Sequence, residues 1–500
     1  MLNFHSTLGR RDFIKALGLA GTGIGVVGAA SPIFHDLDEV IASQNAGHKR
    51  PWWVRERDFE NPTCEVDWNI IKPMDNTLCL HGLPFGPDGR LFTNPANTWN
   101  KIMGHEYVLK VIADKDQNIR DWVNQNKPGW TLRDTALSSA ASSQFAPSEY
   151  IHTRLGVPLP NTTPEYFGVP KWEGTPAENA RMVRAAARFC GASQVQFGVI
   201  NEKTRNLIFN RYAVTGAPII YEQIDKAYAT PEKLVLPDKQ LYAISVAIQM
   251  DKEGFRQGQT DIRNAANVSR YRLWSQVMGC IQAFLDGIGY QGIGYPVPFY
   301  GIMPASADAI LFGHAEMSRN DNVCISPEFG TVCGYFSILT DLPLEPSPPI
   351  DAGIYRFCHT CRKCAETCPE QCISYDAEPS WEIPHPTTMP DKEPVYAVPG
   401  KKVFHTDVTL CMKQFQTVGI GCSVCMGTCV FNTNQAALVH EIVKGTVSTT
   451  GLFNSFLWQA DKFFGYGIIP EERLEDWWDY NFPSFGFDNT ISASTGGYGK

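Results

Sequence analysis

The chain has 500 residues, 43% of them hydrophobic, which is enough for two or three domains with sizeable cores. Its 52 acidic against 43 basic residues give a net charge of −9, and that balance argues against a nucleic-acid surface, which needs a basic patch. Beyond the N-terminal segment no stretch is apolar enough to cross a bilayer, so any membrane attachment has to run through a partner.

Arg10-Arg11-Asp12-Phe13-Ile14-Lys15 precedes a small, apolar run from Ala16 to Ala30, with no acidic residue until Asp36. Twin arginines before a weakly hydrophobic stretch read as a twin-arginine export signal. The run is shorter than the roughly twenty residues that span a bilayer, so it is a signal and not a membrane helix. Residues 1–35 are assigned to it, with cleavage after Ala30 or Ala42. The expected location is the outer face of the cytoplasmic membrane, reached by a protein that folds before export.

Residues 36–150 form an N-terminal region that reads as loop-rich and aromatic, with clusters at Pro51-Trp52-Trp53-Val54 and Asp67-Trp68-Asn69 and no strong period. A core spans 151–345. There the spacing predicts a helix over Pro176 to Phe189, with proline near its start and Gly191 just past its end. Val195 to Ile200 and Tyr242 to Met250 read as strands, the second apolar enough to be buried. Asn267 to Leu285 reads as a long helix with Leu273, Trp274, Val277 and Ile281 at core spacing. Gly287 to Gly294 breaks it, and Gly, Pro and Tyr dominate from there to Ala305. The Pro-rich stretch Leu342 to Pro349 marks a boundary before a cysteine-rich domain at 346–445. A second such stretch, Pro379 to Pro399, is long for a loop and is expected to cover a cluster or a partner surface. Residues 446–500 are expected to pack on the core. The fold class is α/β in the α+β sense.

Two cysteine sets carry the chemistry. Cys358-x2-Cys361-x2-Cys364-x3-Cys368-Pro369 is the spacing that holds a cubane iron-sulfur cluster, its fourth thiolate reaching a second cluster. Cys411-x10-Cys422-x2-Cys425-x3-Cys429 is stretched at its first gap but keeps the same ending. Three cysteines on a tight loop reach three corners of one cube, while the residue before proline turns away. Two cross-ligated [4Fe-4S] clusters follow. One is assigned to Cys358, Cys361, Cys364 and Cys429, the other to Cys368, Cys411, Cys422 and Cys425. A zinc site would be satisfied by four sulfurs in two CxxC pairs and would not ask for the Cys-Pro ending. The remaining seven cysteines read as small buried hydrophobes, although Cys372 lies close enough to a cluster to serve as an alternate ligand.

The twin-arginine start, Pro51-Trp52-Trp53, Ser326-Pro327-Glu328-Phe329-Gly330, Thr340-Asp341-Leu342-Pro343-Leu344, the cluster pair and Phe464-Gly465-Tyr466-Gly467 occur in an order that resembles the respiratory reductive dehalogenases of organohalide-respiring bacteria. The resemblance covers nearly the whole chain. It implies a nitroreductase-like core holding a cobamide, with a ferredoxin-like two-cluster domain against it. The chain lacks Asp-x-His-x-x-Gly, which fits a base-off cobamide with no protein ligand below cobalt. The implied function is replacement of a halogen by hydrogen on a small chlorinated alkene or alkane, as terminal reductase of an anaerobic chain. A small integral-membrane anchor protein is the implied docking partner.

Carbon-halogen reduction needs two low-potential electrons and a proton. The cofactor carries the electron step, and the protein orients and insulates it. The resemblance places the proton donor on the helix before the Gly289-Tyr290 turn, at Tyr271. With a reference pKa near 10, a tyrosine donates only to a strongly basic intermediate. The family's supporting arginine would fall at Gly334, and a second helper around Tyr300, so neither stands at its expected place. Arg319, Arg270 and Arg272 are nearby alternatives, each read first as a salt-bridging residue. Trp52, Trp53, Tyr295, Phe299 and Tyr300 are candidates to line an apolar pocket. Two other readings compete: a cobamide-dependent reductase of a tRNA base, and an exported iron-sulfur electron carrier without corrinoid.

Overall fold

The computed structural model describes residues 50–80, 86–87, 92–142, 163–212, 215–295, 300–418, 421–432, 438–463, 465–482 and 486. The export signal, both cleavage sites, Phe299 and Phe464 lie outside them. No helix among the described residues is long and apolar enough to cross a membrane.

The N-terminal region is more helical than its sequence suggests. After the short strand β1 (Arg55–Glu56) come α1 (Thr98–Met103), α2 (His105–Asn124) and α3 (Leu132–Ser142). The expectation of a loop-rich segment is therefore corrected. Its physical reason lies in α2, which runs for 20 residues but buries only Val108 and Ile112 fully, so its apolar stripe is too thin to show as a period. Helix α3 is docked by polar contacts, Thr135 Oγ1 donating to Asp261 Oδ2 at 2.7 Å and Asn264 Nδ2 to Ser138 Oγ at 2.8 Å.

The core begins with α4 (Pro176–Phe189), opened by a capping box in which Thr175 and Glu178 satisfy each other's backbone N–H groups. Strand β2 (Gln194–Ile200) follows, then a small flanking sheet of β3 (Ile219–Glu222), β4 (Tyr228–Ala229) and β5 (Leu234–Pro237). Next come β6 (Leu241–Gln249), the single turn α5 (Lys252–Phe255) and the 27-residue α6 (Asp261–Gly287). Helix α7 (Ala305–Leu311), the hairpin β7 (Glu316–Met317) and β8 (Cys324–Ile325), β9 (Cys333–Thr340) and β10 (Ile350–Asp351) complete it, β10 pairing with β1.

The central sheet is antiparallel in the order β2-β6-β9, with Val246 opposite both Val195 and Phe336. It is a sandwiched sheet, which is why its strands read as apolar runs with little alternation. Ile244, Val246 and Ile248 face α4 and α6, packing with Val183, Trp274, Val277 and Ile281. Small residues occupy the other face, where Ser245 Oγ donates to Asp308 Oδ2 of α7 at 2.6 Å. The thiol-rich region then adds α8 (Ile354–Thr360), α9 (Lys363–Thr367), α10 (Val408–Val418), α11 (Val424–Gly427), α12 (Leu438–Thr449) and α13 (Asn454–Phe463), with a closing 3-10 helix over Glu471–Asp479.

Candidate functional site

Helix α8 ends at Cys361, whose extended backbone turns the chain before α9 begins. Cys358 on α8, Cys361 at the turn and Cys364 on α9 thereby line one cavity together with Cys429, just past α11. Arg319, Lys363, Asn320, Met426 and Cys425 also line it. Cys368 caps α9 in an extended conformation imposed by Pro369 and leaves this cavity for the second group of thiols. Burial pushes the Cys361 thiol up to about 11, opposed by the backbone N–H of Lys363 and the charges of Lys363 and Arg319.

The core reaches into both groups. Arg319, fully buried, donates to the carbonyls of Cys358, Cys361, His359, Ser374 and Asp376 at 2.8–3.1 Å, threading the first cysteine loop onto the β7–β8 hairpin. Glu316 caps α8, accepting from the backbone N–H groups of Ala352, Ile354 and Tyr355. In the second group Cys368 and Cys372 bring their sulfurs to 3.3 Å, and Cys411 hydrogen-bonds to Cys372. Cys422 and Cys425 accept from Gln259 Nε2 at 3.1 Å and Asn320 Nδ2 at 2.9 Å. The loop bearing them presses on α5: a side chain at Gly427 would meet the Phe255 carbonyl oxygen at 2.2 Å, so only glycine allows the approach. Arg263 of α6 donates to the Gly421 carbonyl. Among the described residues no group of His, Cys, Asp or Glu converges as a single metal ion requires. A cubane spreads its thiolates over the corners of a larger body than a single ion.

Tyr271 lies on α6, partly buried, its ring edge-on to Phe336 at 6.1 Å. Arg270 Nη2 donates to its hydroxyl at 2.7 Å, with the guanidinium 4.6 Å from the ring centroid. Tyr295 and Tyr300, both buried, lie within electrostatic reach of the same hydroxyl. Tyr295 is held by Ser337, whose N–H donates to its oxygen at 3.0 Å. Trp274, one turn on from Tyr271, stacks on Phe336 at 4.6 Å. At the end of β6 and just past α5 are buried amide atoms that find no protein partner: Gln249 Oε1 and both polar atoms of Gln257. Interior amides without partners are costly.

The structure thus brings together the cysteines that the spacing paired, and gathers Tyr271, Tyr295 and Tyr300. Trp52 and Trp53 are elsewhere: Trp53 is buried against Phe357 and Cys361, and Trp52 is 77% exposed. Sequence reasoning missed Gln259, Asn320, Arg263 and the role of Arg319. Each is a single polar residue whose partner lies far along the chain, and no local pattern marks it.

The reductive dehalogenase subunit family model matches residues 49–216 and 209–344. The chain belongs to the reductive dehalogenase family, oxidoreductases that act on carbon-halogen bonds. It is 30% identical to the chloroethene reductive dehalogenase of Dehalococcoides mccartyi strain VS, over 98% of this chain and 99% of that one. It is likewise 30% identical to the trichloroethene reductive dehalogenase of Dehalococcoides mccartyi strain 195, over 95% and 97%. Among solved structures it resembles the catabolic reductive dehalogenase NpRdhA, with TM-score 0.52 and 18% identity, over 83% of this chain and 49% of that one. A further match, at TM-score 0.51 and 17% identity, is a reductive dehalogenase structure that suggests a mechanism for B12-dependent dehalogenation. The chain spans about half the length of these two structures, and the likeness is one of fold.

Proposed function

We propose that this chain is an exported reductive dehalogenase that replaces a halogen of a small chlorinated alkene or alkane with hydrogen, using two [4Fe-4S] clusters and a base-off corrinoid. In this reading the sandwiched sheet and its helices form a nitroreductase-like core, and the thiol-rich region is ferredoxin-like. The observation that carries it is the placement of the second thiol group against the start of α6, the helix that bears Tyr271.

Cys358, Cys361, Cys364 and Cys429 would hold one cluster, and Cys368, Cys411, Cys422 and Cys425 the other. The buried amides of Gln249 and Gln257 fit the amide-bearing rim of a corrin ring. When bound, the corrinoid supplies a cobalt centre reducing enough to cleave a carbon-halogen bond. The chain's own residues do the rest. Tyr271 holds the proton for carbon, Tyr295, Tyr300 and Phe336 exclude water around it, and Gln259 and Asn320 donate to cluster sulfurs, a contact that tunes potential. A small membrane protein and a membrane electron-transfer chain are the proposed partners at the outer face of the cytoplasmic membrane. The substrate class follows the chloroethene and trichloroethene relatives.

Metal content of the anaerobically purified chain tests this directly: about eight irons and one cobalt are expected. Iron without cobalt, after reconstitution with several cobamides, would overturn the dehalogenase reading and leave an iron-sulfur electron carrier.

A further inference from the structure

We propose that Arg270 is the positioning residue for the Tyr271 phenol, and that Gly334 is glycine because the Arg270 stem passes over it. The inference rests on the reading of Tyr271 as proton donor. Arg270 Nη2 donates to the Tyr271 hydroxyl at 2.7 Å. To arrive there the side chain crosses β9, where a Cβ on Gly334 would lie 2.7 Å from Arg270 Cδ and 3.0 Å from the Phe336 ring. Gly334 sits in regular antiparallel pairing with Ile248 and does not need a left-handed backbone, so it is the room above it that excludes a side chain. The strand position that would otherwise carry the arginine supplies space, and the helix supplies the guanidinium. Among the described residues Arg270 makes no ion pair, which corrects the salt-bridging role expected of it.

The chemistry explains the placement. When Tyr271 protonates carbon, its O–H bond breaks, a C–H bond forms, and negative charge stays on the phenolate oxygen until solvent reprotonates it. The electrons come from the reductive activity itself and the halide leaves with the bonding pair. A guanidinium already within hydrogen-bond distance meets that charge without reorganising.

The test uses holoprotein with iron and cobalt measured for every variant, reduced methyl viologen as donor, and trichloroethene, vinyl chloride and 1,2-dichloroethane as probes. R270Q should keep its metals and lose about 100-fold in kcat with KM changed less than about threefold. G334A, which displaces the Arg270 stem, should lose activity while staying folded. The exchange R270G/G334R should recover at least about tenfold over R270G by returning a guanidinium from the strand. Unchanged kcat in R270Q, or an exchange that restores nothing with full metal content, would overturn the role of Arg270. An active Y271F would instead remove the donor reading beneath it, and wild-type turnover of none of the three halides would overturn both.

A second observation stands apart from Tyr271. We infer that Cys372 is a fifth thiol at the second cluster, able to ligate it in place of Cys368. Gln371 adopts a left-handed backbone, at φ 49°, and this turns Cys372 back toward Cys368. The backbone N–H of Asp407 holds the Cys372 carbonyl at 2.8 Å, and the sulfur sits 3.3 Å from that of Cys368 and in contact with Cys411. Iron content and low-temperature electron paramagnetic resonance read the outcome. C368S and C372S should each keep about eight irons, and C368S/C372S should fall to about four. A fall to four in C368S alone, or a double variant that keeps eight, would overturn it.

Discussion

His314 shows how much a single buried side chain can make stability depend on pH. It is fully buried behind the central sheet, with Nδ1 at 2.6 Å from the Gln194 amide and Nε2 at 3.2 Å from the Ser245 carbonyl. Both partners are oxygens, so a neutral ring donates to only one of them at a time, through Nε2–H to the Ser245 carbonyl or through Nδ1–H to Gln194 Oε1. Burial depresses its folded pKa from the ordinary 6.5 to about 3. Between those values the unfolded chain takes up a proton that the folded chain refuses, so stability falls as pH drops from about 6.5 toward 3. Thermal unfolding midpoints should therefore fall more steeply between pH 7 and 5 in the wild type than in H314Q. Parallel slopes would show that the acid sensitivity lies elsewhere.

At the scale of elements, what was legible depended on whether local pattern or distant contact decides the structure. The helix Pro176–Phe189 was legible to the residue because Thr175, Pro176 and Glu178 write its start and Gly191 follows its end. The buried strands were legible within a residue at each end, since a strand covered on both faces is a plain apolar run. Helix α6 was caught from Asn267 but begins at Asp261. Its first two turns bury Asp261 and Arg263 against α3 and the Gly421 loop, so they look polar in sequence although they are interior. Helix α2 was missed because a mostly exposed helix leaves little apolar signal. The cysteine sets stood out because their spacing is regular, and Tyr271 was named only through resemblance. Arg270 was named as an alternative without a reason to prefer it, because the glycine that makes room for it lies on a strand 64 positions away.

Across the whole molecule the last described segment behaves as a strap. Trp478 Nε1 donates to Asp134 Oδ1 at 2.8 Å and Trp477 Nε1 to Asp251 Oδ2 at 3.1 Å, while Glu475 accepts from Gly129 N–H and pairs with Arg133 at 2.6 Å. One short 3-10 helix thus ties α3 to the turn α5, whose Phe255 carbonyl supports the second thiol loop. W477A/W478A removes a donor from each of two carboxylates, a loss of about 1–3 kcal/mol apiece where the carboxylate is buried. The melting midpoint should drop by several degrees with the first thiol group still loaded. An unchanged midpoint would mean that the strap merely rests on the surface.

Arg319 has a consequence for how copies of this protein are sorted. Its guanidinium is anchored by three carbonyls on the first cysteine loop and by those of Ser374 and Asp376 beyond it, and the opposite charges within its reach are those of Cys358, Cys361 and Cys364. If those thiols hold the cluster proposed above, a chain assembled without it buries the cation beside uncharged thiols, a penalty that a loaded chain avoids. Completion and solidity then become one property, and the export route proposed above, which carries only folded cargo, would hold back unfinished copies without a separate inspector.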